Sequence, residues 1–174
     1  RFVQILPHRG TRVTTINVDI VDQLIAQRVA VESMVLRDFV NTCTPSDVER
    51  VRYLLQILDD EGAKSHDLEQ FDINEFWDKD IAMHEYWFKA TGKMFLWENM
   101  TKPQSDYSRF CRLDIVGAKN VSDVLYDHHQ MMRIIDEKDL NAIEPVMNYH
   151  LYGGIRRLGQ RIFSDEYKEY FQTT

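Results

Sequence analysis

The sequence predicts an all-α protein, an antiparallel bundle of six or seven helices preceded by a short β segment. Two observations favour this fold class. The 174 residues include seven glycines and four prolines, which are too few for the frequent turns of an all-β domain. Apolar residues also recur at helical spacing along most of the chain, and helix-start signals precede several of these runs.

The first 16 residues are the exception to the helical pattern. Two short β-prone runs flank a Pro-His-Arg-Gly stretch at positions 7 to 10, which favours a β-hairpin, with a single terminal strand as the alternative. Because the chain begins at Arg1 rather than at a methionine, we expect an upstream segment that this sequence does not include. Because the helical pattern begins only after the β-prone segment, we divide the chain into residues 1–16 and a helical domain over residues 17–174.

Turn and capping signals delimit the first two helices. Apolar spacing predicts a first helix over about residues 19–42, and Pro45 prevents it from continuing. Ser46 and Glu49 stand three positions apart, as in a capping box, so they predict the start of a second helix. That helix ends near Gly62.

The next two helices contain the densest aromatic region of the chain. Asp72 and Glu75 repeat the capping-box spacing and predict a third helix over about residues 73–91. A fourth helix is predicted over about residues 93–116, and Pro103 interrupts it.

Three further helices are predicted in the last third of the chain. Asn120 or Ser122 caps the fifth, and Asp139 caps the sixth. A last helix from Gly154 to about Phe171 closes the bundle.

Composition excludes several classes of protein. The formal net charge of −7 argues against a broad nucleic-acid or membrane surface, which needs clustered Lys and Arg. Cys43 and Cys111 are far apart, so they indicate neither a disulfide framework nor a zinc knuckle. No apolar run approaches the roughly 20 residues of a membrane span. We expect a cytoplasmic protein with no membrane segment.

The third predicted helix carries two polar residues on its apolar face. Trp87 and Phe88 belong to the stripe that contains Ile73, while the helix's other charged residues fall on the opposite side. Asp80 and His84 lie within about 20° of Ile73, in the middle of that stripe. Both side chains should therefore point into the bundle.

Two later helices repeat this pattern with histidine. His128 lies within about 20° of Val121 on the apolar stripe of the fifth helix, whereas its neighbour His129 lies about 80° away, near the edge. His150 falls within the apolar arc of the sixth helix. Three helices thus each direct a histidine inward.

A shared metal ion explains these four inward residues together. A single histidine on an apolar face is more often a hydrogen-bonded core residue, but a buried carboxylate needs a charged partner or a cation. Asp80 and His84 stand at positions i and i+4, so both can reach one ion. We predict a divalent metal bound by Asp80, His84, His128 and His150. Three imidazoles and one carboxylate suit zinc first, with nickel, manganese, cobalt and iron as alternatives.

These residues resemble a known family. Residues 28–32 (RVAVE), 80–92 (DIAMHEYWFKATG) and 127–151 are similar to the C-terminal effector-binding (FCD) domain of FadR-type regulators in the GntR family of bacterial transcription factors. That pattern has an Arg-x3-Glu pair, an Asp-x3-His pair, and two later histidines 22 positions apart, as His128 and His150 are. Residues 5–13 (ILPHRGTRV) resemble the second half of the wing of a winged helix-turn-helix domain.

The sequence departs from the family pattern in two places. Gly92-Lys93 stands where the family often has Gly-Asn, so a contact that the asparagine makes would be missing. Pro145 lies inside the predicted sixth helix and should bend it just before His150.

The resemblance implies a regulator that binds a metal ion and a small carboxylate effector. It implies operator DNA as a partner, bound through the N-terminal domain, and a homodimer. Arg109 and Arg112 are candidates for holding the effector's carboxylate, because a guanidinium matches its geometry. Arg28 and Glu32 are expected to form an intrahelical pair that supports the first helix.

Two other functions share the same candidate ligands. A metalloenzyme, either a hydrolase or an oxygenase, also leaves open positions on its metal, although no general base is evident on the same stripe. A helical interaction module would use the metal only for structure. Metal-dependent stabilisation by a ligand that is not turned over would favour the regulator over both alternatives.

Overall fold

The computed structural model describes residues 3–101, 105–115 and 120–171. The predicted fold class is confirmed, since the described residues form a helical bundle behind a short two-stranded β segment. The helices are α1 (Val18–Thr42), α2 (Pro45–Gly62), α3 (Ile73–Ala90), α4 (Met94–Thr101), α5 (Ser105–Ile115), α6 (Val121–Glu137), α7 (Ile143–Leu151) and α8 (Gly153–Leu158).

The β segment is a hairpin rather than a single terminal strand. Strand β1 (Val3–Leu6) pairs antiparallel with β2 (Gly10–Val13), and Leu6 lies opposite Gly10. The turn places His8 and Gly10 at φ values of 60° and 96°. A positive φ is unstrained for glycine, so Gly10 lets the chain reverse here.

The capping box of α2 differs from the predicted one. Thr44 is the cap: its hydroxyl accepts from the amide of Asp47 at 3.2 Å, and the Asp47 carboxylate accepts from the amide of Thr44 at 2.8 Å. Ser46 lies within the first turn, so the prediction of a Ser46–Glu49 box was wrong. Proline is favoured at the first helical position, which allows the helix to begin at Pro45.

The predicted start of α3 is confirmed, and the long fourth helix is two helices. The Asp72 carboxylate accepts from the amides of Asn74 and Glu75, at 2.7 and 3.4 Å. Helices α4 and α5 replace the single interrupted helix, and Pro103 lies outside the described residues.

The polar residues before α6 and α7 do not cap those helices as predicted. Asn120 occupies the cap position of α6, but its side chain donates to Asp114 instead of capping. Asp139 accepts from the amide of Ala142 in a turn that ends just before α7. Pro145 is consequently the third residue of α7. Amides in the first helical turn have no intrahelical partner to lose, so Pro145 removes no helix hydrogen bond and the cause expected for a bend is absent.

The C-terminal part is less helical than predicted. Helix α8 ends at Leu158, because Gly159 adopts a φ of 45° that stops a right-handed helix. A short 3-10 turn follows, and Phe171 forms an isolated parallel bridge with Ile16. The predicted helix to about Phe171 was therefore wrong beyond Leu158.

Helix α1 connects the parts of the bundle that form the site. It packs against α3, α5 and α7, while α2 packs against α3 and α6, and α6 packs against α7. The largest fully buried side chains include Trp87, Phe39 and Phe76. Among the described residues, no helix combines the length and the apolar character needed to cross a membrane.

We predict that Thr44→Ala lowers the free energy of unfolding by about 1 kcal/mol, since an N-cap hydroxyl contributes that much. Chemical denaturation measures this change. The matched control is Ser46→Ala, whose side chain is exposed and should change stability by less than about 0.5 kcal/mol. A larger loss in the Ser46 variant than in the Thr44 variant would contradict the observed cap.

Candidate metal centre

The four predicted ligands converge at one point in the bundle. Asp80 and His84 come from the middle of α3, His128 comes from α6, and His150 comes from the last turn of α7. One ligand atom from each lies within 4.8 Å of the others. His84 and His128 are fully buried, and Asp80 is 8% exposed. The His150 side chain is also 8% exposed.

The three imidazole rings surround a common space. The ring centroids of His84 and His128 are 5.2 Å apart, those of His84 and His150 are also 5.2 Å apart, and those of His128 and His150 are 4.7 Å apart. His84 also contacts Trp87, with ring centroids 5.1 Å apart, so an aromatic side chain shields the cluster.

The hydrogen bond of His128 fixes which ring nitrogen carries its proton. Nδ1 donates to the carbonyl of Val124 at 2.8 Å, because a carbonyl can only accept. Burial lowers the pKa of His128 to about 3, although Asp80 opposes that shift, so the ring is neutral at pH 7. Nε2 then presents a lone pair, and it lies 3.4 Å from Asp80 Oδ1 without a hydrogen-bond partner. Two electron-rich atoms face each other, which is unfavourable unless a cation lies between them.

His84 is held in the same tautomer by a buried carboxylate. Its Nδ1 lies 2.5 Å from Glu32 Oε2, and Glu32 is fully buried and paired with Arg28. Burial alone would raise the pKa of Glu32, but Arg28 and then His84 lower it to about 2. An ionised carboxylate only accepts, so His84 Nδ1 donates, and Nε2 carries the lone pair whenever the ring is neutral, as a metal ligand must be. That Nε2 is also buried without a partner.

His150 completes the pattern. Its Nδ1 lies 3.3 Å from Asp127 Oδ2, and Asp127 is 3% exposed. A carboxylate behind a ligating imidazole orients the ring and raises its basicity. Each of the three histidines thus has an oxygen at Nδ1, which leaves its Nε2 available.

These residues fit a divalent cation. Three unprotonated imidazole nitrogens and one carboxylate form a common donor set for such ions. The two unpartnered Nε2 atoms, on His84 and His128, are acceptors that lack a donor. A cation would satisfy both and would separate His128 from Asp80.

A small cavity adjoins the cluster. Its volume is about 40 Å³, and both Asp80 and His150 contribute to its wall. Arg157 on α8 also lines it and forms an ion pair with Asp114, with Nη2 and Oδ2 2.5 Å apart. The remaining lining residues are Phe76, Trp77, Tyr107, Cys111, Asp114, Ile115, Asn120, Val124 and Leu151.

The two arginines predicted to hold an effector lie elsewhere. Arg109 and Arg112 line a separate cavity of about 530 Å³ between α5, the residues after β2 and the C-terminal segment. Arg109 donates to the carbonyls of Thr14 and Thr15, and Arg112 donates to Asn74 at 3.2 Å. Contact between either arginine and an effector stays a prediction, and it would require an effector that reaches this second cavity.

Sequence reasoning missed the residues behind the histidines. Arg28 and Glu32 do form the expected intrahelical pair, but Glu32 also reaches His84 across the bundle. Their charges inside the apolar stripe of α1 were the available signal. Asp127 lies on the same side of α6 as the buried Met131 and Ile134, but its contact with His150 depends on the packing of α7 against α6.

One comparison with known proteins gives a match. A family model described as the FCD domain matches residues 23–153, a range that contains all four candidate ligands. No curated protein gives a significant match to the chain.

We predict that His128→Ala abolishes stoichiometric metal binding, because it removes a fully buried donor. Metal analysis after dialysis measures this loss. His129→Ala is the matched control, since the side chain of His129 is 53% exposed and pairs with Asp59. Equal metal content in the two variants would contradict the proposed ligand set.

We predict that Glu32→Gln weakens metal binding by about 10- to 100-fold, the usual effect of removing a carboxylate behind a ligating histidine. Competition with a chromophoric chelator measures the affinity. Glu49→Gln, on the exposed face of α2, should leave the affinity unchanged. An unaltered affinity in a folded Glu32 variant would mean that Glu32 does not support the metal site.

Proposed function

The chain belongs to the FCD domain family, the C-terminal effector domains of GntR-family regulators, and from that membership we propose that it is the metal-dependent sensor of a bacterial transcription regulator. In this proposal a divalent metal binds Asp80, His84, His128 and His150, and a small carboxylate metabolite binds beside it. The bound metabolite modulates the affinity of the regulator for operator DNA.

One observation carries the metal part of this proposal. His128 Nε2 is neutral, buried and aimed at the Asp80 carboxylate, while its other nitrogen is occupied by Val124. The polar core needs positive charge at that point, and no Lys or Arg side chain among the described residues contacts it there. Zinc is the first expectation for three nitrogens and one oxygen, with nickel, manganese, cobalt and iron as alternatives.

The effector part rests on the cavity beside the four ligands. A metal that accepts five or six donors keeps positions open when four come from the protein, and a bound metal would supply a Lewis-acidic docking point for a carboxylate. The cavity wall includes Asp80 and His150, so a ligand there would lie next to the cluster. Trp77 and Tyr107 provide apolar surface for its carbon atoms.

Helix α5 offers a route from the site to the β segment. Tyr107 lines the cavity and accepts a hydrogen bond from Arg28, and two residues later Arg109 holds the carbonyls of Thr14 and Thr15. A ligand that moves Tyr107 would therefore also shift Thr14 and Thr15, which follow β2 and connect it to α1. Allosteric control requires such an element with two arrangements of different affinity for the ligand.

The remaining parts of the proposal come from the family. We place residues 1–16 in the wing of a winged helix-turn-helix domain and its linker, and residues 17–174 in the sensor. Operator DNA would bind through the N-terminal domain of a cytoplasmic homodimer, since a two-fold dimer suits a palindromic operator.

We predict that acetate and longer carboxylates raise the melting temperature of the zinc-loaded protein but not that of the chelator-treated protein. The reason is mass action: a ligand that binds only the folded, metal-bound state stabilises that state. Differential scanning fluorimetry measures the shift, with His128→Ala as the control that lacks the metal. Equal shifts with and without metal would contradict the proposal, and chemical turnover of a stabilising carboxylate would favour the metalloenzyme.

A further inference from the structure

Asn120 presents an unsatisfied acceptor at the cavity beside the metal centre. The residue is 2% exposed and lines the cavity that also contains Asp80 and His150. Its Nδ2 donates to Asp114 Oδ2 at 2.9 Å, and its Oδ1 is buried without a hydrogen-bond partner. The amide orientation is determined by this bond, because the alternative would place the amide oxygen against a carboxylate.

The charge around Asn120 favours a neutral donor over a second carboxylate. Arg157 is already paired with Asp114, and its Nη1 lies 3.6 Å from Asp123. One guanidinium thus faces two carboxylates, so this end of the cavity has no spare positive charge. An incoming carboxylate would meet Asp114 and the Asn120 carbonyl oxygen, both of which repel it, whereas a hydroxyl could donate to Asn120.

The distance between Asn120 and the metal ligands limits where the hydroxyl can be. Asn120 precedes His128 by eight positions on the same helix, which is about 12 Å of helix rise. Side chains of a helix lean toward its N-terminus, so the His128 ring comes closer to Asn120 than this figure. A hydroxyl on the carbon next to the carboxylate would remain at the metal, and only a hydroxyl farther along the ligand could reach Asn120.

The size of the cavity limits the length of the ligand. A volume of about 40 Å³ has room for about three water-sized groups. Once the carboxylate lies at the metal, about three further groups fit, such as two carbons and a hydroxyl, whereas the longer chain of a six-carbon sugar acid would require the cavity to enlarge.

We propose that Asn120 selects the effector, and that this effector is a short monocarboxylate with a hydroxyl on its third or fourth carbon. The carboxylate occupies the metal end, and the hydroxyl donates to Asn120 Oδ1. This inference rests on the proposed function. The hydrogen bond to Asn120 would distinguish hydroxy acids of this type from dicarboxylates. The metal ligands alone do not make that distinction.

The test compares ligands that share one four-carbon chain. The affinities of butyrate, 2-hydroxybutyrate, 3-hydroxybutyrate, 4-hydroxybutyrate and succinate for the zinc-loaded protein are measured by calorimetry. We expect the 3-hydroxy or the 4-hydroxy acid to bind about five- to tenfold more tightly than butyrate, the gain from one buried hydrogen bond. Succinate should bind no better than butyrate.

Asn120→Ala is the diagnostic variant. It should remove the advantage of the 3- or 4-hydroxy acid over butyrate, with the two affinities compared within the same variant. This substitution does not remove a helix cap, since the Asn120 side chain makes no cap hydrogen bond to α6. Asn148→Ala, at an exposed position of α7, is the matched control and should retain the preference.

Three results would overturn the inference, and the ligand series alone can produce each of them. Tightest binding of 2-hydroxybutyrate would indicate chelation at the metal without selection by Asn120. Tightest binding of succinate, or equal binding of all five acids, would remove the hydroxyl preference while leaving the proposed function intact. Failure of every carboxylate to bind the zinc-loaded protein would reject the proposed function as well.

Discussion

The site depends on three oxygen atoms that stand behind three imidazole rings. The Val124 carbonyl, the Glu32 carboxylate and the Asp127 carboxylate each occupy one Nδ1. A neutral imidazole has one proton, so each of these bonds directs a lone pair through Nε2 to the centre. The Asp80 carboxylate is directed to the same place. Four donors of negative or neutral character then converge inside an apolar bundle.

A positive charge at its centre would stabilise such a cluster. A buried polar atom without a partner costs about 1–3 kcal/mol, and two of the Nε2 atoms have none. Zinc sites in small domains contribute about 10 kcal/mol or more. The gain from a cation therefore exceeds the cost of burying the donors. The bundle supplies rigid helices for these donors, with Trp87 and Met83 fully buried around them.

Sequence periodicity was sufficient to predict the candidate ligands. It was insufficient to predict the residues that support them or line the neighbouring cavity. Asp80, His84 and His128 lie on apolar stripes, so their inward direction follows from helical geometry alone. Asp127 contacts His150 on a neighbouring helix, and the Asn120 side chain, which was expected to cap α6, donates to Asp114 instead. Such contacts depend on how helices pack, which the pattern of a single helix does not contain. The same limit explains why the hydrogen bonds of Arg109 to the carbonyls of Thr14 and Thr15 were not predicted.

Metal-edge X-ray absorption on the protein, purified without chelators and then loaded with one equivalent of zinc, tests the central claim most directly. We expect a single bound ion with three imidazole nitrogens and at least one oxygen in its coordination shell. A shell without imidazole, or a protein that binds no zinc while remaining folded, would show that the buried histidines are satisfied in some other way.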